Sequence, residues 1–201
     1  MPDLVVSILG PPGIGKRALA STLADQCQAP VFRLDEAASR DARSFPTLAR
    51  ELDEAQKSGA GVPNPLACAL AANAIDAARD RMVLLDDYPR CLSQARNLRR
   101  SVRRANRSLM VVQLTATPAT LADRRQRQQE NAGSTTATGR RSAGWSRADE
   151  IRAGRYKQHT TEMRVALSAS EGGWYEVATD PGTPKLDAVV LALIAFGSRC
   201  S

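Results

Sequence analysis

The stretch Gly10-Pro11-Pro12-Gly13-Ile14-Gly15-Lys16 decides the fold of this chain. It follows a short apolar run, Leu4–Leu9, of the kind that forms a buried parallel strand. After it, apolar residues recur at helical spacing, at Ala18, Leu19, Leu23 and Cys27. The predicted order is therefore strand, glycine-rich loop and helix, which is the context in which the motif GxxxxGK binds phosphate.

The chemistry of this loop follows from its residue types. Glycines let successive backbone N–H groups turn towards an anion, while the helix N-terminus adds partial positive charge beside the full charge of Lys16. We expect the loop to hold the β and γ phosphates of a nucleoside triphosphate; the alternative is an ordinary strand-to-helix turn. The expected contact residues are Gly10, Pro11, Pro12, Gly13, Ile14, Gly15, Lys16, Arg17 and Ala18.

The loop departs from the general motif directly after its lysine. That position usually carries Ser or Thr, whose hydroxyl binds Mg²⁺. Here Arg17 and Ala18 follow Lys16, so a bound metal would lack its usual hydroxyl ligand.

Composition limits the class of protein. The 201 residues are 43% hydrophobic, enough for one sizeable core, and the net charge of +7 comes mainly from arginine, which suits anionic ligands. Without a long apolar run or a basic leader, we expect no transmembrane helix, no signal peptide, no membrane partner and a cytoplasmic location. The four scattered cysteines predict reduced thiols rather than a disulfide framework or a zinc site.

Further strands alternate with segments of helical spacing. This order predicts one α/β domain with a five-stranded parallel sheet and helices on both faces. Residues 128–144 are polar and almost free of large apolar side chains, so we expect a mobile surface segment there. The later strands are predicted at 30–34, 82–85, 109–114 and 174–177, and the helices at 40–57, 66–81, beyond Pro89, around Leu121, at 146–168 and around 186–194.

The third apolar run ends in the pair Asp86-Asp87. A carboxylate at the carboxyl end of a strand beside a phosphate loop is well placed to hold Mg²⁺ or its water shell. Asp86 is the candidate, acting through water. The alternative is a polar residue that caps the following turn.

An arginine-rich helix is predicted after Pro89. Its arginines recur at spacings that place them along one helical face. Such a face suits nucleic acid or an acidic membrane surface, whereas the lack of interleaved aromatic residues favours an ordinary solvated face. The residues are Arg96, Arg99, Arg100, Arg103, Arg104 and Arg107.

Four segments, spread along nearly the whole chain, resemble the adenylate kinase and nucleoside monophosphate kinase family. The loop at 10–16 looks like the family's own version, including the proline before the central glycine. The segment Leu85-Asp86-Asp87-Tyr88-Pro89-Arg90, with Gln94 four residues on, is similar to the signature Asp-Gly-Phe/Tyr-Pro-Arg…Gln. Residues 59–63 resemble the Gly-x-x-Val-Pro turn of the monophosphate subdomain. Arg152, Tyr156 and Thr160 resemble the helix that follows the lid, and Arg141 stands eleven residues before Arg152, as in the family's lid pair.

The resemblance implies a P-loop NTPase fold with three layers, α/β/α. It implies a single P-loop kinase domain over residues 1–201, with an inserted monophosphate-binding segment at about 36–65 and a lid at about 122–150. The implied activity is transfer of the γ-phosphoryl group of ATP to a nucleoside monophosphate, AMP first among them. ATP and Mg²⁺ are the implied cofactors, nucleotides the substrates, and a monomer the implied state.

The resemblance also implies roles for individual residues. Lys16 would hold the donor phosphates and Arg90 the acceptor's phosphate, with Gln94 on the base edge, Val62 in the monophosphate turn and Arg40 as the arginine of that subdomain. Around the transferred phosphoryl group would stand Arg124, Arg141 and Arg152. Phosphoryl transfer needs in-line positioning and surrounding cations rather than covalent help, which suits this set. The alternative at each arginine is a surface ion pair.

Departures from the family pattern leave rival functions open. The family has Gly/Ser-Thr where Arg17 and Ala18 stand, and glycine where Asp87 stands; its Thr-Gly-Asp element is absent near residues 34–37. One rival is a kinase of the same architecture with another acceptor. The other is a catalytically weak nucleotide-binding protein whose arginine helix face binds nucleic acid. Lone His159 has no recognisable catalytic partner in the sequence and receives no catalytic role.

Overall fold

A computed structural model describes residues 3–42, 50, 54, 61–78, 81–132 and 144–197. Within these ranges each strand is followed by one or two helices before the next strand. The elements are β1 (Leu4–Leu9), α1 (Lys16–Cys27), β2 (Val31–Arg33), α2 (Leu34–Ala42), α3 (Asn64–Ala77), β3 (Val83–Asp86), α4 (Leu92–Arg104), β4 (Ser108–Thr115), α5 (Pro118–Glu130), α6 (Arg147–Leu167), β5 (Trp174–Ala178) and α7 (Leu186–Gly197).

The strands form one sheet in the order β2-β3-β1-β4-β5, with every neighbouring pair parallel. In the register of the central strand, Val5 lies opposite Val83 of β3 and Leu109 of β4. The predicted five-stranded parallel sheet is confirmed. Because all strands run the same way, their carboxyl ends share one edge, where ligands of open α/β sheets bind.

Two cores lie on the two faces of the sheet. Val5 and Leu9 of β1 belong to the core formed with α2, α3, α4 and α6. Leu4, Val6 and Ile8 belong to the other core, which is formed with α1 and α7. Successive side chains of a strand point to opposite faces, so a strand covered on both sides reads as a continuous apolar run. This arrangement is compatible with the predicted three layers.

The prediction was wrong at the end of β2. We expected a strand over 30–34 and a helix from residue 40, but β2 ends at Arg33 and α2 begins at Leu34. Leu34 and Ala38 are buried four residues apart on one helical face, and two acidic residues in the first turn suit the helix dipole. The rest of the predicted helix at 40–57 lies mostly outside the described residues.

Other boundaries shift by a few residues. Helix α3 begins at Asn64, two residues before the predicted start at residue 66, with proline tolerated in its first helical turn. Residues 128–130, predicted as mobile surface, belong to α5, and 133–143 lie outside the described residues. Both inserted segments of the predicted domain scheme are therefore described only in part.

Two further expectations concern thiols and membranes. Cys27, Cys68 and Cys91 are free thiols, as predicted, and Cys200 lies outside the described residues. Within the described part of the chain, every helix is too short or too polar to cross a membrane.

Candidate active site

The glycine-rich loop connects the carboxyl end of β1 to the N-terminus of α1. Gly10 has φ +155° and Gly15 φ +106°, conformations that residues with a Cβ rarely adopt. At Gly10 a Cβ would also lie 2.9 Å from Ile14 Cγ2 and 3.1 Å from the Leu114 carbonyl oxygen. Glycine is therefore required where the chain leaves the sheet, and α1 begins directly at Lys16.

Lys16 is buried, and its ammonium folds back over the loop. Nζ donates to the carbonyl oxygens of Gly10 (2.6 Å) and Pro11 (3.0 Å) and lies 3.2 Å from Asp87 Oδ1. An ammonium group has three donors, and all three have partners here. The lysine is thus positioned at the loop, with its charge balanced by Asp87.

Asp86, the candidate metal residue, lies at the carboxyl end of β3 as expected, but its carboxylate is engaged by Arg33. Arg33 Nε donates to Asp86 Oδ2 at 3.1 Å, and the Asp86 side chain is only 8% exposed. Burial raises the pKa of Asp86, and neighbouring Asp87 raises it further, whereas Arg33 and Lys16 oppose the rise. Among the described residues no group of three or more His, Cys, Asp and Glu side chains forms a metal cluster. Asp86 therefore lies at the predicted strand end, with its carboxylate paired to Arg33.

A cavity of about 620 Å³ opens beside the loop at the carboxyl edge of the sheet. It brings together six residues that the sequence predicted for the site: Gly10, Pro12, Val62, Arg90, Gln94 and Arg152. Its walls also carry Asp87, which stands at the motif position where the family has glycine. Further polar residues of the walls were not predicted there from the sequence: Asp35, Asn64, Arg155, Tyr156 and His159.

Two simple signals point to these additional residues. Asp35 comes soon after β2, so the strand-end rule applied to Asp86 also applies to it. On α6, Arg155 follows Arg152 by three residues and His159 follows Arg155 by four, so the three side chains share one helical face.

Arg90 is held by two carboxylates. Its Nη1 and Nη2 donate to Asp35 Oδ1 and Oδ2 at 3.2 and 3.3 Å, a bidentate pair. Its Nε lies 3.2 Å from Asp87 Oδ2 and also donates to the Asp87 carbonyl oxygen at 3.1 Å. Burial acts to lower the pKa of Arg90, but Asp87 and Asp35 outweigh it and raise that pKa above its usual value.

Gln94 is buried and positions the main chain of Arg90. Its Oε1 accepts from the Arg90 N–H at 2.8 Å, and its Nε2 donates to Asn64 Oδ1 at 2.8 Å. Both ends of the side-chain amide therefore have protein partners. The sequence predicted that Gln94 contacts the base edge of an acceptor nucleotide. Contacts within the protein do not test that prediction.

The remaining predicted arginines lie in different surroundings. Arg124 donates from Nη1 to the Ile14 carbonyl oxygen (3.0 Å) and to Thr179 Oγ1 (2.9 Å), so it braces the loop without lining the cavity. Arg152 lines the cavity and donates to Asp149 Oδ1 at 2.6 Å. Arg141 lies outside the described residues.

Arg40 is not brought to this cavity. It is exposed on α2 and lines a separate cavity of about 200 Å³ beside β2 and α3. It lies in the last turn of α2, after a helix that already begins at Leu34. Arg17 is also directed to the surface, where it pairs with Glu36, and Ala18 is exposed.

The predicted arginine-rich helix is α4, which ends at Arg104, and the six arginines of the predicted face lie in three environments. Arg96, Arg99, Arg100 and Arg103 line an open groove of about 740 Å³ together with Glu162 and Val165 of α6. Arg104 pairs with Asp76 at 3.0 Å. The prediction was wrong for Arg107, which is buried and donates to three main-chain carbonyls rather than joining the exposed face.

The chain matches no known family model and no curated protein sequence. Membership of the adenylate kinase family therefore stays a prediction carried by the motifs.

Proposed function

We propose that this chain is an ATP-dependent phosphotransferase with a P-loop NTPase fold, which binds its donor phosphates as a nucleoside monophosphate kinase does. The observation that carries the proposal is the glycine-rich loop with Lys16 at the carboxyl edge of a parallel sheet. This loop borders a cavity of about 620 Å³ that Arg90 and Arg152 also line. A phosphate loop beside a cavity with cationic walls suits transfer from a bound nucleotide to a second substrate.

In the proposed reaction, the loop N–H groups and Lys16 bind the β and γ phosphates of the donor. The Lys16 ammonium exchanges its contacts with Gly10, Pro11 and Asp87 for phosphate oxygens. Mg²⁺ bound with the nucleotide supplies positive charge to these phosphates, and Asp86 would hold one of its waters. Arg124 holds the loop in position by donating a hydrogen bond to the Ile14 carbonyl oxygen. Arg152 faces the transferred group, so cations surround the phosphoryl oxygens without a covalent protein intermediate.

Two classes of acceptor are compatible with this way of binding the donor nucleotide. The first is a nucleoside monophosphate, AMP foremost, as the family resemblance implies through Arg90, Val62 and Gln94. The second is an acceptor of different chemistry on the same architecture. A specific observation favours the second: Arg90 is already paired with Asp35 and Asp87.

A further candidate function is binding of nucleic acid at the groove of α4. The four arginines that line it present their charge on one concave surface, and Val165 beside them is 74% exposed. Phosphate backbones are bound by such surfaces in a salt-dependent way.

The catalytic proposal is tested by a coupled assay with ATP, Mg²⁺ and a panel of nucleoside monophosphates and nucleosides. We expect Lys16→Ala to lower turnover about a hundredfold or more, because it removes a cation from the transferring phosphates. Lys185→Ala, at an exposed lysine before α7, is the matched control and should leave turnover unchanged. Near-full activity of Lys16→Ala would show that the site is assigned wrongly.

A further inference from the structure

We propose that Asp35 and Asp87 are specificity-determining residues that select against an acceptor carrying a phosphate group. The inference rests on the proposed phosphotransferase function and concerns the acceptor half of the same site. It comes from the ion pairs around Arg90, the residue expected to bind an acceptor phosphate.

The guanidinium group of Arg90 contacts Asp35 through its two terminal nitrogens and Asp87 through Nε. Nη1 and Nη2 lie 3.2 and 3.3 Å from the two oxygens of Asp35, and Nε lies 3.2 Å from Asp87 Oδ2. A phosphate binds arginine through these same parallel N–H groups. An incoming phosphate must therefore displace carboxylates that already match the guanidinium.

The carboxylates also set the local charge. Asp87 bridges the two cations of the site, since its Oδ1 lies 3.2 Å from Lys16 Nζ and its Oδ2 3.2 Å from Arg90 Nε. The result is an ordered chain of alternating charges: Lys16, Asp87, Arg90 and Asp35. A phosphate on the acceptor would add negative charge beside two carboxylates, whereas a neutral hydroxyl group would donate a hydrogen bond to either of them.

The position of Asp87 is fixed by the main chain. Its φ of +61° is left-handed, a conformation that side chains other than those of Asn and Asp rarely adopt. Its N–H donates to the Ile8 carbonyl oxygen at 3.0 Å, and the next residue accepts from Ser7 Oγ at 2.7 Å. Because β1 holds this turn, the carboxylate is built into the cavity wall rather than carried on a loose surface segment.

Ligands can reach the cluster from the cavity. The side chains of Asp35, Asp87 and Arg90 are 48%, 30% and 26% exposed, and all three residues line the cavity. Selection by charge therefore acts directly on the group that an acceptor presents here.

The test compares two ligands that differ only in a phosphate. Binding of AMP and of adenosine is measured by titration calorimetry to the full chain and to the variants Asp35→Asn, Asp87→Asn and the double variant. Asparagine keeps the shape of the side chain and tolerates a left-handed backbone. We expect the double variant to bind AMP at least about tenfold more tightly than the unmodified chain, because two negative charges are removed. Adenosine affinity should change less than about twofold, since a neutral ligand lacks that repulsion.

Asp76→Asn is the matched control, because it removes a carboxylate paired with Arg104 outside the cavity. It should leave the affinity for AMP unchanged. Asp35→Asn alone, at a partly exposed position, gives the same comparison if the double variant fails to fold.

The proposal is overturned if AMP affinity stays the same or falls in the variants, or if the affinities for AMP and adenosine rise together. Failure of the phosphotransferase proposal is a separate result, namely that the unmodified chain does not bind ATP in the presence of Mg²⁺. That result leaves the comparison of AMP with adenosine intact.

Discussion

At the scale of single residues, Arg107 shows how burial changes the role of a charged side chain. It is 6% exposed, and its Nη1 donates to the Ile75 carbonyl oxygen at 3.0 Å. Its Nη2 donates to the carbonyl oxygens of Leu4 (3.1 Å) and Arg81 (2.6 Å). Burial lowers the pKa of Arg107, and Asp3 opposes that effect. Arg107 thus connects the first residue of β1, the end of α3 and the segment just before β3.

Replacement of Arg107 should destabilise the fold. We expect Arg107→Ala to lower the free energy of unfolding by about 3 kcal/mol, because buried carbonyl groups would lose their charged donor. Arg100→Ala, at an exposed position of α4, should change it by less than about 0.5 kcal/mol. Urea unfolding followed by circular dichroism measures both. Equal midpoints for the two variants would contradict a structural role for Arg107.

At the scale of elements, α6 connects the core to the candidate site. Met163 and Leu167 are buried, while Arg152 and His159 line the cavity. Its N-terminus is fixed by a capping box in which Ser146 Oγ accepts from the Asp149 N–H and Asp149 Oδ2 accepts from the Ser146 N–H. The predicted helix at 146–168 is confirmed, and this box lies at its start.

The capping box should make stability depend on pH. Burial acts to raise the pKa of Asp149, but its bonds with Ser146 and its pair with Arg152 outweigh that and lower it. A lowered carboxyl pKa stabilises the fold above the ordinary aspartate value, and this stabilisation is lost as the pH falls through the lowered value.

We therefore expect Ser146→Ala to cost about 1 kcal/mol near neutral pH. The difference from the unmodified chain should narrow as the pH falls from about 5 to about 3, through the titration range of aspartate. Ser168→Ala, at the other end of α6, is the control and should show no such trend. Urea unfolding at several pH values gives the measurement, and a pH-independent difference would argue against a contribution from Asp149 ionisation.

At the scale of the whole molecule, a cluster of arginines lies at the groove between α4 and α6. The net charge is +7, and four arginines line this groove. Helix α6 lines both the groove, through Glu162 and Val165, and the cavity, through Arg152 and His159. One helix therefore contributes to both of the proposed binding surfaces.

Binding of a single-stranded uridine oligonucleotide tests the groove. We expect Arg100→Gln with Arg103→Gln to weaken binding and to reduce the slope of log affinity against log salt by about 1.4, since each phosphate contact contributes about 0.7. The control carries Arg104→Gln with Arg164→Gln, which removes the same charge at residues paired with Asp76 and Glu176. Fluorescence anisotropy at several salt concentrations gives the slopes. Equal slopes for the two double variants would mean that net charge alone drives binding.

The sequence by itself determined the strands, the glycine-rich loop, the start of α6 and the parallel sheet. These features depend on local patterns: apolar runs, glycine at left-handed positions, capping residues and the alternation of strand with helix. Residues at the site were predictable where a motif specifies them, as for Gly10, Lys16, Arg90 and Arg152.

Only the tertiary structure decided the partners of those residues. The ion pairs of Arg90 with Asp35 and Asp87, the burial of Arg107 and the displacement of Arg40 from the cavity depend on contacts between distant segments. The energy of a charged group depends on its burial and on its distance from the nearest opposite charge in the folded chain. Burial and that distance cannot be inferred from local sequence spacing.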